Sequence, residues 1–91
     1  MKAFLLENYD IHVIGEIKLS SHVYKMKCQE GIFVVKITSQ KSLQTMYEYI
    51  ETLSLHHFVK IIRNQNQQYL TPYQHQYVYL MPFMDSGSSF L

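Results

Sequence analysis

The run Gly31-Ile-Phe-Val-Val-Lys-Ile37 constrains this chain more than any other segment. From Ile32 to Ile37 every residue is apolar except Lys36, a composition expected of a strand buried on both faces. Alternation puts Ile32, Val34 and Lys36 on one face. Phe33, Val35 and Ile37 take the other, where a helix is expected to cover them. A lone strand lysine of this kind has an ordinary explanation, an aliphatic stem lying on apolar surface with its ammonium in water.

The neighbours of this run supply the rest of a sheet. Ile11 to Leu19 is rich in β-branched residues and predicts a strand. Ser20-Ser21 predicts a turn. Val23 to Cys28 alternates, with Tyr24, Met26 and Cys28 pointing one way and Val23, Lys25 and Lys27 the other. Gln29-Glu30-Gly31 predicts a hairpin in which Gly31 takes a positive φ. Ser42 is placed to cap a helix, and Leu43, Met46, Tyr47, Ile50 and Leu53 follow at helical spacing. His56-His57 falls where that helix is expected to end. Phe58 to Arg63, Gln68 to Tyr73 and Tyr77 to Met84 predict further strands. Asn64 to Gln67 and Gln74-His75-Gln76 predict the turns between them. Pro72 points to an irregular strand or to an edge position. A short helix is expected over residues 1–9, with Phe4, Leu5 and Leu6 as its apolar face and Asp10 as its stop. The expectation is an α+β domain: a five-stranded antiparallel sheet with one long helix packed on it and a short N-terminal helix. Residues 1–84 form the domain and residues 85–91 a linker-like tail.

Composition excludes several roles. The 8 Lys and Arg are scattered and the net charge is +1, so nothing points to nucleic acid. No apolar run approaches the ~18 residues of a membrane span. No secretory leader is evident in the opening residues, and a cytoplasmic location is expected. Cys28 is the single cysteine, so no internal disulfide forms. At an inward strand position it reads as a small hydrophobe rather than a nucleophile. His56 and His57 are adjacent and would point about 100° apart on a helix, His12, His22 and His75 lie on separate strands or turns, and no metal site is expected. Tyr69, Tyr73, Tyr77 and Tyr79 are expected to pair across strands.

Three features together resemble the N-terminal lobe of the kinase-like aminoglycoside-phosphotransferase superfamily. Val34-Val35-Lys36-Ile37 is similar to the Val-Ala-Ile-Lys of the third kinase strand. Gly31 opens that strand after a hairpin. Tyr79-Leu80-Met81-Pro82-Phe83-Met84-Asp85-Ser86-Gly87 looks like a fifth strand running into a hinge. Leu19-Ser20-Ser21-His22-Val23-Tyr24-Lys25-Met26 is similar to the segment that replaces the glycine-rich loop in bacterial spore-coat kinase-like proteins. The resemblance spans residues 9–87.

The resemblance implies a nucleotide site. Lys36 would hold the α- and β-phosphates of ATP. Val34 and Val23 would roof the adenine. Met81 would be the gatekeeper, with a carbonyl from Pro82 and an N–H from Met84 reading the base edge. A helix glutamate would pair with Lys36, and Glu51 and Glu48 are the candidates. Taking Leu43 as zero and about 100° per residue, Glu51 falls near 80° at the rim of the apolar stripe, and Glu48 near 140°, almost opposite it. Two features depart from the family pattern. The phosphate loop has no Gly-x-Gly-x-x-Gly, and the only aspartates, Asp10 and Asp85, lack the neighbours of a catalytic or metal-binding aspartate.

No catalytic residue is therefore assigned. The expected function is a truncated or degenerate kinase-like nucleotide-binding lobe, not catalytic by itself, with weak affinity for ATP and Mg²⁺. Its expected partner is a C-terminal lobe or a second copy of the chain. Two other classes fit the sequence: a non-catalytic protein-interaction module of the same shape, and an unrelated small α+β binding domain.

Overall fold

The computed structural model describes residues 1–52 and 61–83, and of Glu51 only the backbone. The described elements are α1 (Lys2–Tyr9), β1 (Val13–Ser20), β2 (Val23–Cys28), β3 (Gly31–Thr38), α2 (Leu43–Thr52), β4 (Thr71–Tyr73) and β5 (Gln76–Pro82). The five strands form one antiparallel sheet in the order β1-β2-β3-β5-β4. The first three strands are a meander, and β5 returns beside β3 after α2. Met84 and residues 85–91 lie outside the described residues, as do Leu53, His56, His57 and Phe58. Among the described residues, no helix is long and apolar enough to cross a membrane.

Local sequence explains the turns. Gly31 has φ 141°, a conformation an L side chain rarely adopts, and it closes the two-residue turn at Gln29-Glu30. Asp10 ends α1 in the left-handed region at φ 58°, one that Asp tolerates better than most residues. Its N–H donates to the Leu6 carbonyl at 3.0 Å, and the Ile11 N–H to the Leu5 carbonyl at 3.3 Å. These bonds turn the chain so that α1 folds back under the sheet. At the start of α2 the Ser42 carbonyl accepts from the Met46 N–H, which sets Ser42 at the expected cap position.

The core lies on one face of the sheet. Leu5, Met26, Val35, Val78 and Leu80 are fully buried, with Tyr9, Ile11, Val13 and Cys28 beside them. The helix over Phe33, Val35 and Ile37 is therefore α1, not the long helix the sequence pointed to. Alternation defines two faces but not which helix covers which. Leu5 and Tyr9, four residues apart, supply the buried stripe of α1. Leu6, expected on that stripe, points outward at 44% exposure.

Other expectations need correction. Within Phe58 to Arg63 the described part makes only a single bridge, Ile62 to Leu80. Among the described residues the ring contacts of these tyrosines run to helices rather than across strands. Tyr69 and Tyr79 pack on Tyr47 of α2, with ring centroids 5.9 Å away in each case, and Tyr73 stacks on Phe4 of α1 at 4.9 Å. Aromatic rings reach past their strand neighbours to whichever helix lies over them. Pro72, by contrast, sits in an edge strand as expected.

A buried polar relay ties α1 to the segment before β4. The Tyr9 hydroxyl lies 2.8 Å from Thr71 Oγ1, which also accepts from Asn64 Nδ2 at 2.9 Å. Asn64 Oδ1 in turn accepts from the N–H groups of Asn66 and Gln68 and so shapes its own turn. Asn64 and Thr71 are the buried polar residues of the described chain. Removing the shared hydroxyl leaves two buried partners unsatisfied. Thr71→Val is expected to lower stability by about 1–3 kcal/mol in urea denaturation, and Tyr9→Phe in the same background to recover part of the loss.

Candidate functional site: the open face of the sheet

The face opposite the core carries Lys36. Strand register determines its neighbours: Lys36 lies between Val23 of β2 and Tyr79 of β5, and the next row along is Lys25, Val34 and Met81. Val23, Val34, Lys36 and Met81, singled out from the sequence, thus come together on one side of three adjacent strands. All four are half-buried. Pro82 pairs with Phe33, so its ring belongs to the core face. The Phe83 N–H donates to the Ile32 carbonyl at 2.9 Å and carries the ladder one residue past Pro82.

The helix α2 flanks this open face. Its Tyr47 meets Tyr79, the direct cross-strand neighbour of Lys36. The Gln44 side chain fixes the helix further: its Oε1 accepts from the N–H of Tyr69 at 2.8 Å and of Leu70 at 2.9 Å. Its Nε2 donates to Glu48 Oε2 at 2.7 Å. Glu48 is exposed, and its carboxylate is engaged by its own helix. Among the described residues no carboxylate pairs with Lys36, since the described ion pair is His12 with Glu30. The Glu51 side chain lies outside the described residues.

Three residues of this face were not singled out from the sequence. Gln44 looks like an ordinary polar helix residue, and only the fold brings two backbone donors to its amide. Tyr47 was assigned to the apolar stripe without a partner. Lys25 shares a face with Val23 by alternation, yet nothing local signals its contact: its Nζ sits over the Phe83 ring, 4.3 Å from the centroid. Since β3 lies between β2 and β5, the Lys25 side chain reaches across the open face from the Val34 row to Phe83, which bonds to Ile32.

The turn between β1 and β2 is short. Ser21 and His22 connect strands that end at Ser20 and resume at Val23. The Ser20 Oγ accepts from the His22 N–H at 3.3 Å, and the His22 carbonyl accepts from the Ile37 N–H at 2.9 Å. Gly15 lies well before this turn, within β1. A shallow hollow of about 340 Å³ lined by His22, Ile37, Thr38, Ser39, Gln40 and Gln76 opens at the same end of the sheet.

Protonation in this region is set by burial and local bonds. Burial, and then the adjacent Tyr79, pushes the Tyr47 phenol up to about 12. Cys28 is buried, and burial, then the Glu30 charge, raises its thiol. At the far end, Glu30 accepts from His12 through both the ring Nδ1, at 2.6 Å, and the backbone N–H, at 2.9 Å, which holds its carboxyl below the usual range. Among the described residues no group of three metal-binding side chains gathers.

The Tyr47 shift has a definite sign. A phenol whose pKa is higher in the folded chain stabilises the fold fully below the unfolded value of about 10, and the gain is lost as pH rises through about 12. Wild type is therefore expected to lose stability between pH 10 and 12 more steeply than Tyr47→Phe, measured by urea denaturation at each pH.

No family model matches the chain, and no curated protein matches it in sequence. Its fold is similar to a crystal structure of spectinomycin phosphotransferase, APH(9)-Ia, in complex with ADP and spectinomycin. The likeness has a TM-score of 0.70 at 15% sequence identity and covers 92% of this chain but only 28% of that one. The chain therefore has the kinase N-lobe-like α+β fold, over a little more than a quarter of the length of the protein it resembles.

Proposed function

We propose that this chain is the nucleotide-binding lobe of a kinase-like phosphotransferase, with Lys36 as its phosphate-binding cation. The observation that carries this reading is the shared face of Val23, Val34, Lys36 and Met81. An apolar floor beside one lysine on a stiff strand suits a purine and its phosphates. The similar fold is that of a protein solved with ADP, which supports the same ligand class here. In this reading Val23 and Val34 roof the base, Met81 is the gatekeeper, and the Pro82 carbonyl and the Met84 N–H take the base edge. Residues 1–84 make up the lobe, and residues 85–91 serve as a linker to a second lobe.

The lobe binds nucleotide weakly and does not catalyse by itself. The glycine-free turn at Ser21-His22 brings little backbone close to a phosphate. Glu48 is held by Gln44, which leaves Glu51 as the remaining helix candidate to pair with Lys36. Carboxylates for Mg²⁺ and a catalytic aspartate are the contribution of a C-terminal lobe. The sequence over Leu19 to Met26 supports a place near the bacterial spore-coat kinase-like proteins, working in the cytoplasm. The same two features, the glycine-free turn and the engaged Glu48, favour a degenerate, pseudokinase-like member.

Calorimetry and thermal shift with ATP and Mg²⁺ test the site. Wild type is expected to give a saturable response at millimolar nucleotide that Lys36→Ala abolishes. No response in wild type would remove the nucleotide role from this chain.

Lys25 makes a second test. Its ammonium sits over Phe83 beside the proposed adenine position, and its stem must shift before a base can stack on Val34. A cation–π contact at an exposed site is worth about 0.5–1 kcal/mol. Lys25→Met is thus expected to tighten ATP binding by about two- to fivefold, read in the same calorimetry.

A further inference from the structure

The two edges of the sheet differ. β4 is three residues long and contains Pro72, which has no N–H to offer a further strand. β1 is eight residues long and contains no proline. Among the described residues, nothing pairs with its outer side. It also exposes large apolar side chains: Ile14 at 62%, Ile17 at 57% and Leu19 at 55%.

The charge pattern of this edge is self-complementary. Between the register shifts at Val13/Gly15 and Lys18/Ser20, the regular stretch runs from Gly15 to Lys18. Within it, Glu16 and Lys18 share one face and flank Ile17, which points to the other. Neither charge forms an ion pair inside the chain among the described residues. An antiparallel copy centred on Ile17 sets Ile17 against its own mate. It sets Glu16 against the copy's Lys18, and does so twice by symmetry. A parallel copy would instead set Glu16 on Glu16 and Lys18 on Lys18, a like-charge arrangement that destabilises.

We infer that β1 is a homodimer edge. A second copy of this chain adds antiparallel through Glu16 to Lys18 about a twofold axis at Ile17, and the two sheets become one of ten strands. Opposite charges on one face choose the orientation and register, and the Ile17 pair supplies apolar contact on the other. Ile17 stands on the open face at the outer end of the Lys25, Val34 and Met81 row, and the pairing itself uses neither Lys36 nor α2, so it does not require Lys36 to bind nucleotide.

Sedimentation velocity over a concentration series tests this with five samples: wild type, E16K, K18E, the double variant E16K/K18E, and an equimolar mixture of the two single variants. All the substituted positions are exposed, and circular dichroism checks that each variant keeps the fold. Wild type is expected to dimerise with concentration. Each single variant replaces two attractive pairs by two repulsive ones and is expected to weaken the dimer at least about tenfold. The double variant restores the pairs in reverse and recovers dimerisation. The mixture forms heterodimers, with lysine at 16 facing glutamate at 18. A wild type that stays monomeric throughout, or a dimer equally strong in E16K, would overturn the inference.

Discussion

The structure depends on the register of β3 between its two neighbours. The central residues Phe33 to Lys36 are matched on both sides: Val35 lies between Tyr24 and Leu80, Lys36 between Val23 and Tyr79, and Val34 between Lys25 and Met81. Because side chains alternate, a slip of one residue on either side would exchange the two faces. Val35 would leave the core, and Lys36 would enter it without a partner. The desolvation of an unpaired ammonium forbids that state. The buried valine and the lysine beside it therefore fix the same register for opposite reasons, and Gly31 at the hairpin fixes where that register starts.

This one constraint shapes the site. The core face is closed by α1, whose helix is only eight residues long but is anchored by the Tyr9–Thr71–Asn64 relay. The open face keeps its half-buried apolar rows and its lysine. The helix α2 contributes little to the core; none of its described residues is buried. Among the described residues it is held by two hydrogen bonds to the Gln44 amide and by two ring contacts of Tyr47.

Much of the fold was legible because it is written in local signals. The alternation of β2 and β3, the glycine of their turn, the αL stop at Asp10 and the proline of an edge strand are each local events with a local cause. So is the grouping of Val23, Val34 and Lys36, which needs only alternation and a hairpin. What could not be read depends on distant segments meeting. The covering of Val35 by α1 arises because the chain doubles back after Asp10, and periodicity says nothing about that direction. The Gln44 amide finds its partners 25 and 26 residues away. Lys25 and Phe83 lie on strands separated by β3, so neither residue carries a mark of the other. The same holds for Tyr69, Tyr73 and Tyr79: their strand neighbours are local, but the rings they meet belong to helices.

Cys28 gives this molecule a built-in reporter. It is the only cysteine in the chain, sits at the end of β2 against the core, and has a thiol that burial makes less acidic. Only thiolate in contact with solvent reacts quickly with an alkylating reagent. Reagent reaches this buried sulfur when the end of the β2–β3 hairpin opens away from the core. The rate of chemical labelling is therefore a clock for local opening of the sheet, and it requires no introduced probe and no knowledge of what the open face binds.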